Sequence, residues 1–86
     1  MTNKYEKVEK IYAFALEMDK KAQGEDLYVQ AVVKDIVSTV EEQLATGDVE
    51  AVLKELITTA DFISKDEITV QNILSDIIAV AEQNLV

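Results

Sequence analysis

The stretch that decides the fold is residues 64–86, Ser-Lys-Asp-Glu-Ile-Thr-Val-Gln-Asn-Ile-Leu-Ser-Asp-Ile-Ile-Ala-Val-Ala-Glu-Gln-Asn-Leu-Val. Ser64 and Glu67 have the spacing of a capping box, and Ile63 and Ile68 that of a hydrophobic staple. The apolar residues that follow recur at the spacing of one helical face: Val70, Ile73, Leu74, Ile77, Ile78, Ala81 and Leu85. The stretch therefore predicts an amphipathic helix that begins just after Ser64.

A similar pattern occurs 41 residues earlier in the chain. Glu25-Asp26-Leu27-Tyr28-Val29-Gln30 aligns with Asp66-Glu67-Ile68-Thr69-Val70-Gln71, and Asp35 aligns with Asp76. A fixed offset of this size is typical of a repeated helical hairpin, so a duplicated hairpin is one hypothesis. The alternative is that any two acidic amphipathic helices share residues once their apolar faces are aligned.

Two further helices are predicted in the first half of the chain. Asn3 with Glu6 could cap the first helix, which we expect to run to about Ala22 and to stop at a left-handed Gly24. The second spans about residues 25–45. Its many β-branched residues also suit a strand, but the length and the 3.6-residue period favour a helix. The inward rows are Val8, Ile11, Tyr12, Ala15, Met18 and Ala22, then Val29, Val33, Ile36, Val40 and Leu44.

The segment Thr46-Gly47-Asp48 predicts the end of the second helix and the start of a third. Gly47 suits a C-terminal cap and Asp48 an N-cap. The third helix has the inward row Val49, Val52, Leu53, Leu56, Ile57, Ala60 and Ile63. Phe62 falls off this row; we expect it to pack over the corner before Ser64, with an exposed contact as the alternative.

Composition indicates the fold class. The chain has no proline, only two glycines and 49% hydrophobic residues, which suits helices joined by short links. The sequence predicts one all-α domain over residues 1–86, an antiparallel four-helix bundle. Its two hairpins would cover about residues 3–45 and 48–86.

Charge limits the classes of partner. Residues 25–86 hold three lysines against thirteen acids, and the whole chain has a net charge of −9. An acidic surface without arginine repels phosphate backbones, so we expect no nucleic acid as a ligand. A protein or a cationic peptide is the partner that this field would attract, and the plainer alternative is a solvated acidic surface that keeps the protein soluble.

Several chemistries lack their usual residues. The chain has no histidine and no cysteine, and its two glycines do not form a phosphate-binding motif. Adjacent acids such as Glu41/Glu42 point about 100° apart on a helix and form no calcium loop. We expect a protein that is not an enzyme and has no catalytic, cofactor or metal site.

The expected location is the cytoplasm. No apolar run reaches the roughly 18–20 residues that span a bilayer, and no apolar signal core follows the first residues. With no catalytic residues in view, the expected function is binding, in which an acidic helical surface or an apolar groove is presented to a macromolecular partner. Candidate partner-binding residues on the polar faces are Asp35, Glu41, Glu42, Asp61, Phe62 and Asp76.

Residues 44–57, Leu-Ala-Thr-Gly-Asp-Val-Glu-Ala-Val-Leu-Lys-Glu-Leu-Ile, resemble the middle link of the small four-helix bacteriocin immunity proteins. The resemblance covers a leucine, a following glycine and a Val-Leu-x-x-Leu helix, and it implies a cytoplasmic protein that protects its own cell from a cationic peptide. It assigns no functional residues here. The alternatives are a phage-type or regulatory inhibitor that mimics a polyanionic nucleic acid, and a homodimeric scaffold that joins through the first and fourth helices.

Overall fold

Four helices make up most of the structure. A computed structural model describes residues 4–85, and no β-strand occurs within that range. The helices are α1 (Lys4–Ala22), α2 (Leu27–Glu42), α3 (Val49–Phe62) and α4 (Ile68–Gln83). The predicted all-α, four-helix bundle is confirmed, whereas the predicted cap at Asn3 lies outside the described residues.

An aliphatic core holds the helices together. Each helix buries the residues that recur every three or four positions on one face. These are Val8, Ile11, Ala15, Met18 and Ala22 of α1, Val29, Val33, Ile36 and Val40 of α2, Val49, Val52 and Leu56 of α3, and Val70, Leu74, Ile77 and Ala81 of α4. No polar or charged residue of the described chain is buried. The predicted rows are confirmed at their centres, but Ile57 and Leu85 are exposed. The half-buried members of these rows are Tyr12, Leu44, Leu53, Ala60, Ile63, Ile73 and Ile78.

The helices pack as two hairpins. The most extensive contact is between α1 and α2, followed by that between α3 and α4, and the hairpins meet chiefly through α1 and α4. Lys21 and Thr69 line one surface groove and Val32 and Phe62 another. The α1–α2 and α3–α4 links therefore lie at the same end of the bundle, which we call the double-loop end.

The two hairpins bury equivalent positions. At an offset of 41 residues the buried pairs are Val8/Val49, Ile11/Val52, Ala15/Leu56, Val29/Val70, Val33/Leu74, Ile36/Ile77 and Val40/Ala81. Shared burial is also what two unrelated amphipathic hairpins would show, since each must bury one face. Duplication therefore stays a hypothesis.

Aspartates cap the starts of α2 and α3. The carboxylate of Asp26 accepts a hydrogen bond from the Val29 amide at 3.0 Å. Asp48 accepts one from the Ala51 amide at 3.0 Å. Each bond satisfies an amide that has no partner within the first turn of its helix. The predicted N-cap at Asp48 is confirmed.

The predicted capping box at Ser64 is wrong. Helix α4 begins at Ile68, and Glu67 in the N-cap position makes no side-chain cap bond. The Ser64 hydroxyl instead accepts from the Asp66 amide at 3.2 Å, which closes a turn before the helix. The staple is wrong as well, because the Ile68 side chain is 68% exposed.

Two glutamines tie the links at the double-loop end. The side-chain amide of Gln30 donates to the backbone carbonyls of Gln23 and Glu25, at 3.3 and 2.8 Å. The side-chain amide of Gln71 donates to the backbone carbonyls of Ala60 and Ile63, at 2.9 and 3.0 Å. These bonds satisfy carbonyls at and just beyond the ends of α1 and α3, which have no partner within the helix.

The two glycines differ in conformation. Gly47 has a φ of 65°, and its amide donates to the Gln43 carbonyl at 2.9 Å. The predicted C-terminal cap at Gly47 is wrong, because α2 ends at Glu42 with Gln43 as its cap, and the left-handed Gly47 instead closes a turn over residues 43–47. The left-handed stop at Gly24 is wrong, since Gly47 is the residue with positive φ in the described chain.

Gly47→Ala should destabilise the protein by about 1–2 kcal/mol, because a side chain at this φ meets the backbone. A domain of this size should then melt about 4–8 °C lower for each kcal/mol. Gly24→Ala is the matched control: the nearest atom to the added methyl group is the Lys21 carbonyl oxygen, 4.0 Å away. That variant should melt at the wild-type temperature or slightly above it. Thermal unfolding followed by circular dichroism measures both, and equal melting temperatures for the two variants would contradict the assignment.

Candidate functional site

A surface groove lies between α2 and α3. It holds about 340 Å³ and is lined by Val32, Asp35, Thr58, Thr59, Phe62 and Ile63. We call it the Phe62 groove. Val32 and Ile63 are half-buried and pack against the core, so they form its apolar floor. The groove is thus anchored to the rigid part of the bundle.

Phe62 is the most exposed large apolar residue of the described chain, with 91% of its surface accessible. The expected corner packing is therefore wrong. Residues of a helix advance by about 100°, so Phe62 lies about 120° around α3 from the buried Leu56. The core face of α3 is already occupied by Val49, Val52 and Leu56, and the aromatic ring is left in solvent.

The polar groups of the groove differ in their availability. The hydroxyl of Thr58 donates to the Lys54 carbonyl, and that of Thr59 donates to the Glu55 carbonyl, both at 2.9 Å. Their protons are therefore used within α3. The exposed Asp35 carboxylate is the charged group that lines the groove. It belongs to α2, whereas Phe62 belongs to α3.

The structure brings together only two of the predicted binding residues, Asp35 and Phe62. Asp61 is exposed beside Phe62 in the sequence but does not line the groove. Glu41 and Glu42 are exposed in the last turn of α2, roughly 9 Å along the helix axis from Asp35. Asp76 lies on α4 and lines a different groove, between α1 and α4.

Other exposed apolar residues lie at the double-loop end. Leu27 and Ile68, the first residues of α2 and α4, are 81% and 68% exposed, and Tyr28 is also exposed. With Phe62 they form a set of large apolar side chains around one end of the bundle. The other exposed large apolar residues, Tyr5, Leu16, Ile57 and Leu85, lie elsewhere on the bundle and are 36–43% exposed, so the four most exposed apolar side chains are those at this end.

Sequence reasoning missed the lining residues Val32, Thr58, Thr59 and Ile63. Ile63 was expected in the inward row of the third helix, Val32 lies outside the predicted inward row of the second, and the threonines carry no signal of their own. Periodicity tells which residues share a face of one helix. It does not tell which faces of two helices meet, and that juxtaposition forms the groove.

Other kinds of site find no support in the described part of the chain. Residues 4–85 contain no group of three or more acidic side chains that could hold a metal ion. Over the same residues, no helix combines the length and the apolar character needed to cross a bilayer.

Compared with protein-family models, curated proteins and solved structures, the chain shows no significant match.

Proposed function

We propose that this protein is a non-catalytic binding module that docks a cationic amphipathic segment of a protein or peptide in the Phe62 groove. The observation that carries the proposal is the exposure of Phe62, 91%, beside an apolar floor and an aspartate. An aromatic side chain left in water forgoes about 1.5–3 kcal/mol of burial free energy. A partner that covers the ring recovers that free energy on binding.

Charge supports a cationic partner. Residues 25–86, which include both walls of the groove, hold three lysines and thirteen acids, a net of −10. Asp35 lines the groove and no lysine does. A Lys or Arg of the partner would pair with Asp35 while an adjacent apolar residue covers Phe62, and the wider acidic field would speed the encounter.

The size of the groove supports side-chain docking over enclosure of a small molecule. A volume of about 340 Å³ is at the lower end of the range of small-molecule pockets, about 300–1,000 Å³. The bound segment would therefore insert one or two apolar side chains and leave most of its surface outside. An amphipathic helix, with apolar residues on one face and lysines beside them, meets this requirement.

Phe62→Ala should weaken binding of a cationic amphipathic helix by about tenfold, because the ring supplies most of the apolar contact. The probe is a synthetic peptide of Leu, Ala and Lys with a single Trp on its apolar face. The protein itself contains no tryptophan, so Trp emission reports the peptide alone. A blue shift on titration measures burial of the probe.

The controls separate the groove from the general acidic surface. Ile57→Ala removes another exposed apolar side chain of α3, about 140° around the helix from Phe62, and should bind as the wild type does. Asp35→Asn should weaken binding by about two- to fivefold at low salt, whereas Glu55→Gln, which does not line the groove, should have a smaller effect. Equal affinities of wild type and Phe62→Ala would overturn the proposal.

Immunity to a bacteriocin is the biological setting that the resemblance of residues 44–57 suggests for this module. That segment forms most of the α2–α3 link and the first nine of the fourteen residues of α3, ahead of Phe62 on the same helix. Expression of the protein in a strain sensitive to a cationic bacteriocin should raise the concentration that inhibits growth, and Phe62→Ala should reduce this protection. Growth inhibition unchanged by expression, across a panel of cationic bacteriocins, would remove this setting and leave the binding proposal to its own test.

A further inference from the structure

A second groove lies between α1 and α4, at the same end of the bundle as the Phe62 groove. It holds about 270 Å³ and has an eight-residue lining: Met18, Lys21, Ala22, Glu25, Thr69, Asn72, Ile73 and Asp76. Met18 and Ala22 are buried and Ile73 is half-buried, so its floor is apolar and anchored to the core. We call it the Lys21 groove.

The two grooves are built from equivalent positions. Five of the six residues that line the Phe62 groove have a counterpart, 41 positions away, in the lining of the Lys21 groove. The pairs are Val32/Ile73, Asp35/Asp76, Thr59/Met18, Phe62/Lys21 and Ile63/Ala22. This equivalence holds whether or not the hairpins arose by duplication, because it is a property of the positions in the fold.

The counterparts agree in character at three of the five pairs, and they differ at Thr59/Met18 and at the exposed edge. Each groove has an aliphatic residue and an exposed aspartate from the second helix of one hairpin, α2 or α4. Each also has an apolar residue at the end of the first helix of the other hairpin, α3 or α1. The edge position is Phe62 in one groove and Lys21 in the other. An aromatic ring offers apolar area to a partner. A lysine offers no ring, and its positive charge offsets one of the two carboxylates, Glu25 and Asp76, that line the Lys21 groove.

We propose that the Lys21 groove is a second docking site of the same design, and that the residue at position 62 or 21 decides which groove a cationic amphipathic segment occupies. In the native protein Lys21 disfavours the second groove, so one segment binds per molecule. The proposal rests on the proposed function of the Phe62 groove. It assigns Phe62 and Lys21 as the specificity-determining pair.

The test is a change in stoichiometry. Isothermal titration calorimetry with the same Leu/Ala/Lys peptide should give one site on the wild type and two on Lys21→Phe, with the second groove gaining about tenfold or more in affinity. Adding Asp76→Asn to Lys21→Phe should weaken the new site and leave the first unchanged. The reciprocal variant Phe62→Lys should lose the original site.

Lys20→Phe is the matched control, because it makes the same change of charge and adds the same ring at an exposed neighbour that does not line the groove. It should keep one site, and circular dichroism checks that each variant retains the helical fold. One site on both wild type and Lys21→Phe would overturn this inference and leave the Phe62 groove standing. No binding to the wild type would overturn the proposed function and this inference with it, whatever Lys21→Phe binds.

Discussion

Burial of a purely aliphatic core is the constraint on which the rest of this structure depends. The buried side chains of the described chain are all apolar, and each helix supplies them from one face. Because the core contains no polar side chain, it needs no hydrogen bonds or ion pairs between side chains, and close packing holds the helices together. Side chains at the margins of these faces, such as Val32 and Ile63, are half-buried. Phe62 lies off the buried row of α3 and is left in solvent.

The same core explains why the grooves lie where they do. Val32 and Ile63 of the Phe62 groove and Ile73 of the Lys21 groove are half-buried at the margins of the buried rows. These three pack against the core yet reach the surface between two helices, and the buried Ala22 also lines the Lys21 groove. A partner that inserts an apolar side chain there would extend the existing core and would require no rearrangement of the bundle. Specificity is then left to the residues at the rim, where the two halves of the chain differ.

Much of the fold could be predicted from the sequence, and the failures have identifiable causes. The buried rows of α2 and α4 were predicted because their spacing matches the helical period over four turns. The cap at Ser64 failed because a local spacing rule ignores competing bonds. The Ser64 hydroxyl closes a turn to Asp66, and Gln71 reaches back to the end of α3. The sequence could not predict that Asp35 and Phe62 line the same groove, because this depends on how α2 and α3 are aligned with each other.

The most direct test of whether the Phe62 groove binds a cationic amphipathic helix is a map of the backbone amides whose signals change when such a helix is added. Two-dimensional ¹H–¹⁵N spectra of the labelled wild-type protein would be recorded during titration with unlabelled peptide. We expect the largest shifts in two segments on facing helices, residues 32–35 and 58–63, which bracket the Phe62 groove. Shifts of similar size spread over acidic residues throughout the bundle, with no maximum in these segments, would contradict the account.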